Sequence, residues 1–205
     1  MATEIELKLS IVAVHDEDAL IQVKKCLLSL GVDQKLHKYE LENAYYDSPD
    51  LQLNKEKIAL RIRKKGNRYI QTLKTKGQSV NGLSKRGEWE WELTEPELNL
   101  DYLAQCDAWP KTVNTGQLKK VFETNFTRHQ VEFSWREAKI ELAIDYGKII
   151  ADGRYEWINE LELELIDGSE NGLHLMCAEL QKYITLEPSD ISKAERGYRL
   201  GKAAL

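Results

Sequence analysis

Glu4, Glu6 and Lys8 alternate with Ile5, Leu7 and Leu9 in the stretch Glu4-Ile5-Glu6-Leu7-Lys8-Leu9. Residues two apart in an extended chain share a face and sit about 7 Å from each other. Two carboxylates and an ammonium therefore project from one side of this strand, and three aliphatic groups from the other. Like charges at that spacing repel unless water solvates them or a cation lies between them. The pattern returns along the chain, and its sign changes. Arg61 and Arg63 share a face in Leu60-Arg61-Ile62-Arg63, and Lys74 follows in Thr72-Leu73-Lys74. Arg86, Glu88, Glu90 and Glu92 oppose Trp89, Trp91 and Leu93. Arg128, Glu141 and Asp145 occur in two later extended segments. Glu160, Glu162 and Glu164 then alternate with Leu161, Leu163 and Leu165.

These residue types point to one kind of ligand. Clustered carboxylates without His or Cys favour hard, oxygen-preferring ions such as Mg²⁺ or Mn²⁺. Clustered Arg and Lys favour phosphate, whose oxygens guanidinium matches bidentately. Together they suit a metal-bound polyphosphate, with a positioned water attacking the terminal phosphorus. The chain has no P-loop and no GxGxxG, so phosphate is not held by a glycine-rich turn. The competing reading is an antiparallel protein whose charged faces are simply in water.

The elements that must carry these residues follow from spacing. A strand at 4–9 precedes a helix capped by Asp16, with Ala19, Leu20, Val23, Leu27 and Leu30 on one stripe and Gly31 ending it. Residues 36–47 form a second strand closed by Ser48-Pro49-Asp50, and 54–57 a polar loop. Ile58–Arg63 and Tyr69–Lys76 pair as a hairpin about Gly66-Asn67. A flexible connection at 77–82 leads to a strand at 85–93. Residues 97–123 are helical or irregular. Strands follow at 124–134, at 138–146 with Gly147 at its end, and at 158–166, then a helix at 170–184 and a short helix within 189–198 that presents Lys193 and Arg196. About eight strands can close into a barrel, an α+β fold in one domain spanning residues 1–205. With the charged faces inside, the lumen is a wet tunnel, because unpaired charge cannot sit in a dry core.

Composition sets the outer limits. The chain has 205 residues, 42% hydrophobic and 31% charged, enough for one ordinary core. A net charge of −5 argues against a nucleic-acid partner. No apolar run is long enough to span a bilayer and no signal peptide opens the chain, which predicts a cytoplasmic protein without a membrane partner. Cys26, Cys106 and Cys177 form no CxxC pair and read as core or inert thiols. His15, His37, His129 and His174 lack metal-pair spacing and read as structural or exposed.

The same residues resemble a known family. Glu4-Ile5-Glu6-Leu7-Lys8 is similar to the ExExK signature of the CYTH superfamily, the triphosphate tunnel metalloenzymes. Tyr45-Tyr46-Asp47-Ser48-Pro49, Leu60-Arg61-Ile62-Arg63, Thr72-Leu73-Lys74, Arg86-x-Glu88-x-Glu90, Ile144-Asp145-Tyr146-Gly147, Glu160 to Glu164 and Ser192-Lys193-Ala194-Glu195-Arg196-Gly197-Tyr198 resemble its further segments, in order. The resemblance is nearest to the N-terminal half of bacterial inorganic triphosphatases, which carry a C-terminal CHAD domain. It implies an eight-stranded antiparallel tunnel that hydrolyses or cyclises triphosphate compounds with Mg²⁺ or Mn²⁺. It implies metal-side carboxylates at Glu4, Glu6, Glu160 and Glu162, with Glu164 at their margin, and catalytic support from Glu88, Glu90 and Asp145. Lys8, Arg61, Arg63, Lys74, Arg86, Arg128 and Lys193 become the phosphate-binding cations, and Lys76 and Arg196 are left outside the set. The expected activity is cleavage of tripolyphosphate to diphosphate and phosphate by a monomer or homodimer. The alternatives are a class IV adenylate cyclase, a thiamine triphosphatase and a non-catalytic polyphosphate-binding module.

Overall fold

The computed structural model describes residues 2–12 and 16–202. His15 lies outside the described residues, as does the side chain of Asp16, so the expected cap is not assessed. The chain runs β1 (Ala2–Ile11), α1 (Asp16–Ser29), β2 (His37–Asp47), α2 (Gln52–Lys55), β3 (Ala59–Lys65), β4 (Arg68–Lys74), β5 (Gln78–Val80) and β6 (Leu83–Leu93). It continues with α3 (Leu100–Ala104), β7 (Lys119–Trp135), β8 (Ala138–Ala151), β9 (Arg154–Gly168), α4 (Asn171–Leu180), β10 (Leu186–Pro188) and α5 (Lys193–Lys202).

Eight strands close a ring in the order β1-β9-β8-β7-β2-β3-β4-β6, and β6 returns to β1 through pairs such as Glu4↔Arg86. Every pairing is antiparallel. β5 and β10 are short additions to β6 and β1. Closure leaves the long strands no free edge. Alternation then gives every strand one face toward the lumen and one toward the helices.

The outer apolar faces are covered in two places. Leu7, Leu9, Ile140, Leu142, Leu161 and Leu163 pack beneath α1 and α4, where Val23, Leu27, Leu173 and Met176 are buried. α1 ends in a Schellman turn: Gly31 at φ 77° donates its N–H to Leu28, and Val32 donates to Leu27 at 2.9 Å. On the other flank Leu60, Leu73, Trp89 and Trp91 meet Leu103 of α3, and Trp91 stacks on Tyr102 at 5.8 Å.

α5 packs differently. It lies against Tyr45, Phe122, Ile149 and Ile158, which share the inward faces of their strands with lumen residues such as Phe126. α5 therefore stoppers part of one barrel end from inside. Gly197 makes this approach possible, since a Cβ there would fall 2.3 Å from the Phe122 ring. Tyr198 donates its hydroxyl to Asp47 at 2.9 Å.

Four local expectations need correction. The first half of the expected 54–57 loop belongs to the helical turn α2, because buried Asp47 accepts the N–H groups of Leu53 and Asn54, each at 2.9 Å. The flexible 77–82 connection holds β5, since Asn81 and Gly82 (φ 52° and 82°) make a tight hairpin turn. β8 does not stop at Gly147 but runs to Asp152-Gly153, a second hairpin turn (φ 49° and 74°). Gly147 instead sits mid-strand, where a Cβ would meet Asn125 O at 2.3 Å. β10, at 186–188, is a further strand that periodicity did not separate from the loop.

Candidate functional site: a sign-sorted tunnel

β1 turns Glu4, Glu6 and Lys8 into the lumen, where they are 5%, 6% and 5% exposed. They line a cavity of about 300 Å³ together with Arg61, Arg63, Lys74, Arg86, Glu88, Glu90, Arg128, Glu162, Glu164 and Lys193. The ring order sorts these charges. Acidic β1 and β9 are neighbours, and the register sets Glu6 opposite Glu164 and Lys8 opposite Glu162. β3, with Arg61 and Arg63, lies across the barrel from them.

Two ion-pair networks hold most of these groups. In the first, the Glu4 carboxylate receives Lys74 Nζ and Arg86 Nε, each at 2.6 Å, and Lys74 also reaches Glu88 at 3.1 Å. Burial alone would raise Glu4, but the two cations outweigh it and hold the carboxyl at about 2. In the second, Lys193 Nζ meets Asp145 at 2.8 Å and Glu160 and Glu162 at 2.6 Å. Arg128 grips Asp145 with two bonds of 2.7 Å and also reaches Glu162. Burial opposes the charge on Glu162, yet Lys193 and Arg128 drive its carboxyl well below the usual range. Arg196 pairs with Glu160 and, at 2.7 Å, with Glu156.

The remaining lumen charges are left open. Glu6 and Glu164 make no hydrogen bond or ion pair among the described residues. Burial, reinforced by Glu162 and Glu4, pushes Glu6 up to about 7. Burial and then Glu4 push Glu164 up to about 8. Lys8 likewise has no contact partner among the described residues, and burial lowers its ammonium. Arg61 keeps a buried Nε without an acceptor. Arg63 bonds Asn43 at 2.8 Å, while burial and then Arg61 and Arg128 lower its guanidinium to about 9, still charged at neutral pH. Like charges set directly opposite in a sheet are destabilising. Among the described residues, Glu6 and Glu164 thus lack a contact cation and Lys8 and Arg63 a contact anion, while Arg61 reaches Glu90 only at 3.9 Å.

A divalent cation fits the acid pair. Among the described residues no three Asp, Glu, His or Cys side chains are arranged to hold a metal by themselves. A hard divalent cation can be held by one or two carboxylates when water and substrate phosphates complete its shell. Glu6 and Glu164, with Glu162 beside them, are the donors available.

Most of the residues singled out in the sequence face the cavity, and two lie elsewhere. Asp145 and Glu160 do not line the cavity; at 0% and 2% exposure they sit behind it, tied to Arg128, Lys193 and Arg196. Their β8 and β9 positions are covered by α5, which fills the lumen at that level. Glu164, marginal in the sequence, faces the cavity. Lys65, Gln130 and Glu141 also line it and were missed. Each continues an inward alternation already visible, Lys65 after Arg63, Gln130 after Arg128 and Glu141 before Asp145.

The family model described as CYTH domain matches residues 2–198. An inorganic triphosphatase of Haemophilus influenzae is 36% identical over 202 residues, covering 98% of this chain and 56% of that protein. The chain thus spans little more than half the length of this curated relative. Among solved structures, a candidate adenylyl cyclase from Hippeastrum described as having a dominant triphosphatase activity aligns with a TM-score of 0.67 at 20% identity, over 97% of this chain and 96% of its own. A Pyrococcus horikoshii protein aligns at 0.61 and 18% identity, over 96% and 99%. These two carry the likeness of fold, and the family match extends over nearly every segment that lines the tunnel. The chain belongs to the CYTH-domain family.

Proposed function

We propose that this tunnel binds a linear triphosphate with Mg²⁺ or Mn²⁺ and hydrolyses it, with inorganic tripolyphosphate as the substrate and diphosphate and phosphate as products. The observation that carries the reading is the set of charges of both signs left, among the described residues, without a close counter-ion around one cavity. Buried Glu6 and half-buried Glu164 stand on one wall with buried Lys8 beside them. Across the lumen are Arg63, which bonds only Asn43, and Arg61, whose buried Nε has no acceptor and which reaches Glu90 only at 3.9 Å. The Haemophilus relative supports the same activity.

Arg61, Arg63 and Lys8 hold the phosphoryl oxygens, and Arg128 orients the chain from β7. Lys74 and Arg86 add two further cations, positioned by Glu4. Glu6 and Glu164 would hold the metal, which when bound would supply charge neutralisation at the phosphate oxygens and a more acidic water. Water adds to the terminal phosphorus, the bridging P–O bond breaks and diphosphate leaves. Glu90 accepts the proton lost by water; its carboxylate is oriented by Thr72 Oγ1 at 3.0 Å. Positioning and electrostatics carry most of the rate in such transfers. Cytoplasmic location, a single domain and a monomeric or homodimeric state complete the reading.

The test is product analysis with tripolyphosphate, ATP and thiamine triphosphate, each with Mg²⁺, Mn²⁺ or EDTA. Metal-dependent phosphate release, fastest from tripolyphosphate, is expected. Cyclic AMP and diphosphate from ATP would make the protein a cyclase, and binding without turnover of any substrate would leave a polyphosphate-binding module.

A further inference from the structure

A second cavity of about 330 Å³ opens beside α5, between the start of β6, the 75–79 segment and the residues after α2. It shares Lys8, Lys74 and Arg86 with the tunnel, so the two spaces are neighbours with these cations in their common wall. Lys57 and Lys76 stand on its exposed rim.

Its charges are unevenly committed. Both acids in its wall are already engaged. Asp190 accepts from Ser79 Oγ at 2.7 Å and Gly82 N at 2.8 Å. Glu195 closes a capping box with Ser192, accepting from its N–H at 3.0 Å. The lysines are not. Lys76 has no hydrogen-bond or ion-pair partner among the described residues, and Lys57 only reaches Glu195 at 4.0 Å. Lys8, 5% exposed and without a contact partner, sits at the junction of the two spaces. Its burial in charged form is costly until an anion arrives. The aromatic ring in the wall, Tyr198, is fixed between Asp47 and Phe122 and offers no free face to a base.

We infer that this chamber is an extension subsite for phosphoryl groups beyond the three held in the tunnel, so that linear polyphosphates of four or more units bind with one end between Lys8, Lys57 and Lys76. The inference rests on the triphosphatase reading for the tunnel itself. The chamber matches the tunnel in volume, its least engaged charges are cationic, and Lys8, Lys74 and Arg86 face both spaces, which sets the chamber next to the phosphate-binding cations.

The experiment compares linear tripolyphosphate and tetrapolyphosphate on the wild type and on Lys57→Gln/Lys76→Gln, reading KM and kcat with the preferred metal and binding by calorimetry without it. Both residues are exposed, so the variant is expected to fold normally, which its melting curve checks. The expected result is unchanged KM and kcat for tripolyphosphate and a KM and Kd for tetrapolyphosphate raised about tenfold, two partly exposed cations each being worth up to about 1 kcal/mol. An equal loss for both substrates would place the lysines in the triphosphate site and overturn the extension. No change for either, or an effect seen with ATP but not tetrapolyphosphate, would also overturn it. Wild type that neither binds nor cleaves tripolyphosphate would be the failure of the triphosphatase reading instead, and the extension would fall with it.

Discussion

At the scale of single residues, the lumen separates charges that hold the fold from charges that wait for a ligand. Lys193 and Lys8 are both buried ammonium groups, yet Lys193 meets three carboxylates and Lys8 none at contact distance. Removing one partner of a buried network strands the others, at about 3–5 kcal/mol. Lys193→Met is therefore expected to lower unfolding free energy by that amount in urea titration, whereas Lys8→Met leaves the metal-free protein as stable as wild type or more so. Equal losses in the two variants would refute the distinction. Glu6 gives a second test. Its folded value of about 7 lies above the ordinary 4.5, so in the metal-free protein its stabilising contribution is complete below 4.5 and is lost as pH rises through 7. Glu164, at about 8, acts in the same direction. Glu4, held at about 2, acts in the opposite one, its contribution being lost as pH falls from 4.5 toward 2. In thermal melts with EDTA, stability should decline from about pH 4.5 to pH 8, and Glu6→Gln should flatten that decline while lowering metal-dependent turnover by at least ~100-fold. A pH profile identical to wild type would contradict the assignment.

At the scale of elements, α5 is fixed less by its own pattern than by Asp47, a wholly buried carboxylate that accepts from Ser48, Leu53, Asn54 and Tyr198. One side chain thus ties the α2 turn to the helix that delivers Lys193. Tyr198→Phe keeps the ring against Phe122 and removes only the hydroxyl; a bond to a charged acceptor is worth about 1.5–3 kcal/mol. The variant should lose stability in that range and raise the KM for tripolyphosphate through a looser Lys193, with amide exchange accelerated in α5 before the barrel strands. Unchanged exchange in α5 would remove the clasp. This tie could not be read from sequence, because Asp47 lies 151 positions from Tyr198 and neither residue carries a local signature of the pairing. Other misses did have signals. Asn81-Gly82 and Asp152-Gly153 are tight-turn dipeptides, and weighing them would have revealed β5 and the full length of β8 and β9.

At the scale of the whole molecule, strict alternation made the barrel and its charged lining legible, since a face carrying Glu4, Glu6 and Lys8 repeats on strand after strand. What alternation cannot give is depth along the tunnel. Asp145 and Glu160 share a face with Glu141 and Glu162, but α5 fills the lumen at their level and turns them into anchors for Lys193 and Arg128. Closure also places β3, with Arg61 and Arg63, across from the acidic β1 and β9. A protein with net charge −5 thereby gathers cations around one cavity. Because the ligand completes the charge balance, tripolyphosphate at about 100 times its Kd should stabilise the metal-free protein by ~2.7 kcal/mol, read as a rise in melting temperature that salt diminishes.

The most direct measurement is phosphate release from tripolyphosphate by purified wild type and Lys8→Met, with Mg²⁺ or Mn²⁺ and with EDTA. The tunnel account predicts turnover by the wild type with metal, none with EDTA, and none by a Lys8→Met protein that is folded. Wild-type rates in Lys8→Met, or release that EDTA leaves untouched, would contradict it.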